Sequence, residues 1–171
     1  MNKLVLTGFM ATGKSAVGRC LAARLGRKFF DTDHIIVRRA GCSIERIFAI
    51  HGEAHFRALE RAVIKELALS PDTAVIATGG GSLVDEVNYW TLAPVARIVC
   101  LVARPEVIAA RLAGAATVRP KLAESGLPLK EAIARLMEQR AGAYARIGTV
   151  VDSSELTIAQ TADRVIQMLE A

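Results

Sequence analysis

Aromatic residues make up only 5% of this 171-residue chain, and that scarcity limits its partners. Single-stranded nucleic acid is held on stacking platforms, which need aromatic side chains beside basic ones. Here the Arg and Lys residues are dispersed, so the net charge of +5 fits an acidic small-molecule substrate better than nucleic acid. Cysteine is equally sparse. Cys20, Cys42 and Cys100 stand far apart, without C-x-x-C spacing and among apolar neighbours. They read as free thiols in a reducing cytoplasm, neither disulfides nor metal ligands. The three histidines lack any H-E-x-x-H spacing; His51 and His55 are i,i+4 but have no third ligand at a telling position. No charged-then-apolar leader is expected, and no apolar run approaches a membrane span. Repeats and low-complexity tracts are absent too.

What the chain does have is alternation. It is 52% hydrophobic, enough to bury one sizeable core, and residues 1–171 are expected to form one domain. Strand-like runs at 3–7, 28–30, 74–78, 98–102 and 149–151 are separated by helical patterns, clearest at 15–25, 54–69, 128–145 and 157–169. This order predicts an α/β fold with right-handed crossovers and a parallel sheet covered on both faces. Ligands of such sheets collect beyond the carboxyl ends of the strands. Residues 113–126 interrupt the pattern with small residues, glycines and Pro120 around the single Arg119. That stretch reads as a lid.

Residues 8–15 spell Gly-Phe-Met-Ala-Thr-Gly-Lys-Ser, a complete G-x-x-x-x-G-K-S loop between a strand and a helix. In such a loop backbone N–H groups wrap phosphate oxygens, Lys14 reaches the outer phosphates and Ser15 offers a hydroxyl to Mg²⁺. Ala11, Thr12, Gly13, Lys14, Ser15 and Ala16 are therefore the triphosphate-binding set, with the helix N-terminus aimed at the anion. After the second strand comes Asp31-Thr32-Asp33. On an extended segment both carboxylates face one way, one to hold Mg²⁺ through water and the other to take a proton from a hydroxyl. The alternative is that Asp33 merely caps the next helix. After the third strand, Gly79, Gly80 and Gly81 let a ligand approach bare backbone. On the helix between these strands Arg57 and Glu60 are i,i+3 neighbours, either a surface ion pair or an Arg fork presented to an acidic substrate.

These motifs together resemble the shikimate kinase family. The resemblance runs from Lys3 to about Asp152 and rests on the phosphate loop, Asp31-Thr32-Asp33, Gly52-Glu53-x-x-Phe56-Arg57-x-x-Glu60, the three glycines, Arg119-Pro120 and Arg140-x-x-x-Tyr144. It implies a three-layer αβα P-loop fold, its five-stranded parallel sheet in the order 2-3-1-4-5, with a substrate-binding helical segment (about 33–62) and a closing lid. It further implies transfer of the γ-phosphoryl group of ATP to shikimate, in aromatic amino acid biosynthesis, by a cytoplasmic monomer that needs Mg²⁺. Asp33 is then the base; Arg57 and Arg140 hold the substrate carboxylate, with the Gly80 backbone assisting and Glu60 positioning Arg57. Lys14 and Arg119 stabilise charge on the transferring group, and Ser15, with Asp31 through water, holds Mg²⁺. Arg111 is the candidate stacking partner for adenine. The chain departs from the family at Ala11, where glycine is usual, and at Lys121. Alternatives are a gluconate kinase, which should lack the Phe56-Arg57 string and the triple glycine, a nucleoside monophosphate kinase, and a non-catalytic nucleotide-binding module.

Overall fold

The computed structural model describes residues 1–113, 122 and 126–170. Its centre is β1 (Lys3–Gly8), buried along its whole length. A near-continuous apolar run suits that place, because the middle strand of a parallel sheet has no solvent face. Flanking it are β2 (Lys28–Asp31), β3 (Ala74–Ala77), β4 (Ala96–Val102) and β5 (Val150–Asp152), all parallel, in the order β2-β3-β1-β4-β5. The expected strand order and fold class are thus those observed, and the strand bounds shift by only a residue or two.

Alternation along β1 divides the core in two. Val5 points into one layer with Ile36, Phe56, Val63, Ile76 and Cys100. Leu4 and Leu6 point into the other, with Leu21, Val75, Leu101 and Val165. The first layer is covered by α2 (Thr32–Ala40), α3 (Ile44–Leu69) and α4 (Glu86–Leu92), the second by α1 (Lys14–Leu25) and α7 (Ile158–Glu170). A third apolar cluster of Phe9, Ile108, Ile133 and Leu122 lies past the strand ends, under α5 (Pro105–Ala113) and α6 (Leu129–Ala145).

Local sequence sets the helix limits. Gly26 and Gly41 end α1 and α2 in left-handed conformations, their N–H groups returning to Ala22 and Val37. Ser43 caps α3 by accepting from Arg46 N–H. The helical pattern expected from residue 54 begins ten residues earlier, because α3 continues through a break at Gly52 (φ 78°, ψ 172°). Only glycine adopts that backbone without strain. Ile44, Glu45 and Phe48, ahead of the break, line the cleft described below.

One local expectation is overturned. Asp31 and Asp33 do not share an extended segment, since α2 starts at Thr32. The cap is Asp31, whose carboxylate accepts from the N–H groups of Asp33 and His34 at 3.1 and 3.3 Å. Asp33 sits in the first helical turn, where its charge also favours the positive end of the helix dipole.

Candidate active site

The phosphate loop joins β1 to α1 as expected, and its shape comes from close packing. A Cβ at Gly8 would stand 2.0 Å from the Leu101 carbonyl oxygen. Thr12 donates its hydroxyl to Phe9 O at 2.8 Å, and Lys14 Nζ reaches the same carbonyl at 2.7 Å. Gly13 precedes α1 at φ 94° with no side-chain cap. The first N–H groups of α1 therefore keep their donor capacity for an anion. Ser15 Oγ donates to Asp31 Oδ2 at 2.5 Å, which brings two hard oxygen donors together at the start of α1.

Ala11 lies at φ 59° and is the sole positive-φ residue other than glycine among the described residues. Left-handed backbone at alanine carries roughly 1–2 kcal/mol of strain. Its carbonyl accepts from Arg111 Nη1 at 3.1 Å, and Arg111 Nη2 donates to Ser153 O at 2.8 Å. Ser153 is 2% exposed, and its hydroxyl bonds to Thr12 O and Val102 O at 3.0 and 3.1 Å. Arg111 and Ser153 thus brace the loop against the end of β4. No sequence signal marked Ser153, whose partners lie 141 and 51 residues away.

Beside the loop is a solvent-open cleft with a cavity volume of about 110 Å³. Asp33, Arg57, Glu60, Gly79, Gly80, Gly81 and Arg140 all line it, with Met10, Ile44, Phe48 and Phe56. Residues proposed from four separate stretches of sequence therefore meet in one place. Thr32 Oγ1 accepts from Gly79 N–H at 3.1 Å, fixing the start of α2, and with it Asp33, on the end of β3.

The three glycines answer a demand for space, since none of them lies at positive φ. A Cβ at Gly79 would stand 2.7 Å from Asp33 Oδ1 and 3.1 Å from Glu60 Oε1. One at Gly80 would be 3.2 Å from Met10 N, and one at Gly81 would be 3.1 and 3.4 Å from the Nη2 atoms of Arg57 and Arg140. A side chain at Gly79 would displace the Asp33 carboxylate, and one at Gly81 would crowd both guanidiniums.

Arg57 and Glu60 form the anticipated i,i+3 pair at 2.7 Å, but not on the surface, because Glu60 is 1% exposed. Ser82, which follows the glycines, donates to the other Glu60 oxygen, and Glu53 approaches Arg57 at 3.2 Å. Burial lowers the Arg57 pKa, but the charge and hydrogen bond of Glu60, then those of Glu53, outweigh it and raise it above its ordinary value. Arg140 is 8% exposed and lies over the Phe9 ring at 5.5 Å. Two guanidiniums thus converge on Gly81 from different helices, an arrangement that suits a carboxylate or a phosphate.

Most of the lid expected at 113–126, with Arg119 and Lys121, lies outside the described residues.

The shikimate kinase family model matches residues 10–170. A shikimate kinase of Geobacter sulfurreducens is 45% identical over 153 residues, covering 90% of this chain and 82% of the relative. The chain belongs to the shikimate kinase family. It is an ATP-dependent kinase with the P-loop fold. The structure of an Acinetobacter baumannii shikimate kinase in complex with shikimate superimposes with a TM-score of 0.90 at 30% identity, covering 98% of this chain and 92% of that one. A gluconokinase structure from Sinorhizobium meliloti covers 98% of this chain and 95% of its own, at 18% identity and a TM-score of 0.60. That likeness is one of fold alone, so the family assignment separates this chain from the gluconate-kinase alternative.

Proposed function

We propose that the chain transfers the γ-phosphoryl group of ATP to the 3-hydroxyl of shikimate, giving shikimate 3-phosphate and ADP. The observation that carries this reading is the cleft itself. It sets the Asp33 carboxylate and two guanidiniums, Arg57 and Arg140, next to a phosphate loop, with Glu60 paired to Arg57 and Glu45 also on its wall. A small acceptor with a carboxylate at one end and hydroxyls at the other matches that charge pattern. Gluconate also carries a carboxylate, but the apolar wall of Ile44, Phe48 and Phe56 favours a ring over an extended polyol.

Phosphoryl transfer asks a protein chiefly for positioning and for neutralisation of charge. The loop backbone and Lys14 hold the triphosphate, and Arg111 is the stacking partner for adenine. Arg57 and Arg140 grip the carboxylate, while Glu60 keeps Arg57 charged and oriented. Asp33 accepts the hydroxyl proton as the oxygen attacks in line. Arg119 reaches the transferring group when the lid closes, which also keeps water from the γ-phosphate.

Ser15 and Asp31 fit Mg²⁺: both present oxygen, and a magnesium site in a kinase takes its remaining ligands from water and phosphate. The ion supplies charge neutralisation at the β- and γ-phosphates when bound. The chain works as a single kinase domain, a monomer in the cytoplasm. Its free cysteines are compatible with that compartment, and among the described residues no helix is long and apolar enough to cross a membrane.

Coupled ADP release with shikimate, gluconate and a nucleoside monophosphate as acceptors tests the reading. Turnover with shikimate alone is expected. Turnover with gluconate at comparable kcat/KM overturns it, and nucleotide binding without turnover of any acceptor would mark a non-catalytic module.

A further inference from the structure

Tyr144 has no part in the reaction described so far, yet it is built into the site. It lies on α6 one turn beyond Arg140 and packs against the apolar layers under both halves of the cleft. Its hydroxyl donates to Gly80 O at 2.5 Å. Burial raises the phenol's pKa, and the charge of Arg140 and its hydrogen bond to the phenol oxygen offset this only in part. The group therefore stays a donor at neutral pH and also touches one of the two guanidiniums.

The contact fixes more than one atom. The Gly80 carbonyl and the Gly81 N–H belong to one planar trans peptide and point in opposite directions. Hydrogen bonds from Ser82 N–H to Gly79 O at 3.1 Å and from Val84 N–H to Gly81 O at 3.2 Å hold the ends of this turn. Such a turn keeps its closing bond when its central peptide turns over, and two glycines allow either direction. Holding the carbonyl against Tyr144 therefore sets the direction of the Gly81 N–H, at the residue where the Arg57 and Arg140 guanidiniums converge. Unheld, the peptide could turn its carbonyl oxygen toward the bound anion and repel it.

We propose that Tyr144 is a positioning residue for the acceptor carboxylate, locking the Gly80–Gly81 peptide so that its N–H and the two guanidiniums meet the same anion. This rests on the carboxylate reading of the cleft given above. The test compares shikimate with its methyl ester, which keeps the ring and hydroxyls but loses the charge, in the unaltered enzyme and in Tyr144→Phe. The ratio of the two kcat/KM values on one preparation is independent of how much of the protein is folded. The unaltered enzyme should prefer the acid by at least a hundredfold, and Tyr144→Phe should reduce that preference about tenfold while the KM for ATP stays within twofold. An unchanged ratio, or a loss carried by the KM for ATP instead, overturns the role of Tyr144 while leaving the carboxylate reading intact. Equal use of acid and ester by the unaltered enzyme overturns the carboxylate reading itself, and this inference with it.

Discussion

The two sides of the cleft are built from different materials. The donor side is one contiguous eight-residue motif that runs from the end of β1 into α1, and in such loops backbone N–H groups meet the phosphates. The acceptor side is assembled from α2, α3, the turn after β3 and α6, and its contacts are made by charged side chains. A triphosphate is the same anion in every P-loop enzyme, so backbone geometry suffices to bind it. An acceptor must be told apart from similar molecules, which takes charges and shape at fixed places. Variants on the donor side should therefore move the KM for ATP, and variants on the acceptor side the KM for shikimate.

Asp33, the α2 residue of the acceptor side, meets the hydroxyl that attacks the donor, and its replacement should have the largest effect. Asp33→Asn removes the proton acceptor while keeping the shape, so kcat should fall about a thousandfold, within the usual range for a general base. The KM for ATP should stay within twofold. A fall of less than tenfold in kcat would show that Asp33 only positions the hydroxyl.

Glu60→Ala comes next and separates stability from binding. It leaves the Arg57 charge without its buried partner, although Glu53 and partial exposure remain. The expected loss is about 2–3 kcal/mol, below the full range for breaking a buried pair. For a chain of this size that lowers Tm by about 4–12 °C. The KM for shikimate should rise at least tenfold and that for ATP hardly at all. A rise in both would mean that the two sides are not independently built.

The contrast also explains what could be read in advance. The strands and the phosphate loop follow from hydrophobic runs and one contiguous motif, whereas the strand order was implied only by the family resemblance. The Arg57–Glu60 pairing was visible in its spacing, but its burial was not, because the covering residues Gly79 and Ser82 come from another element. The roles of Asp31 and Asp33 turned on whether the helix began one residue earlier or later, and strand and helix meet there without a linker. Ser153 was illegible because its hydroxyl bonds only to groups far away in sequence, the Thr12 and Val102 carbonyls and the Arg111 side chain.

Ser153 supplies the donor side's counterpart to Glu60. Ser153→Ala removes hydrogen bonds to Thr12 and Val102 and loosens the hold on Arg111. A lost buried hydrogen bond is worth about 1 kcal/mol, which corresponds to roughly a fivefold rise in the KM for ATP. The KM for shikimate should not change. A shift in the acceptor constant alone would break the division.

The smallest effect is expected at Ala11, and its sign is the informative part. Glycine there relieves roughly 1–2 kcal/mol of left-handed strain. It also frees the unfolded chain, which takes back about 0.4–1 kcal/mol. The balance favours Ala11→Gly by about 0.5 kcal/mol, a rise in Tm of about 1–2 °C. Because Arg111 already holds the Ala11 carbonyl, the loop should keep its shape and the KM for ATP should change less than threefold. A fall in Tm would mean that the Arg111 contact stabilises alanine in this conformation by more than the strain. A large change in the KM for ATP would mean that the residue's stiffness, and not only the backbone path, is part of how the donor side binds.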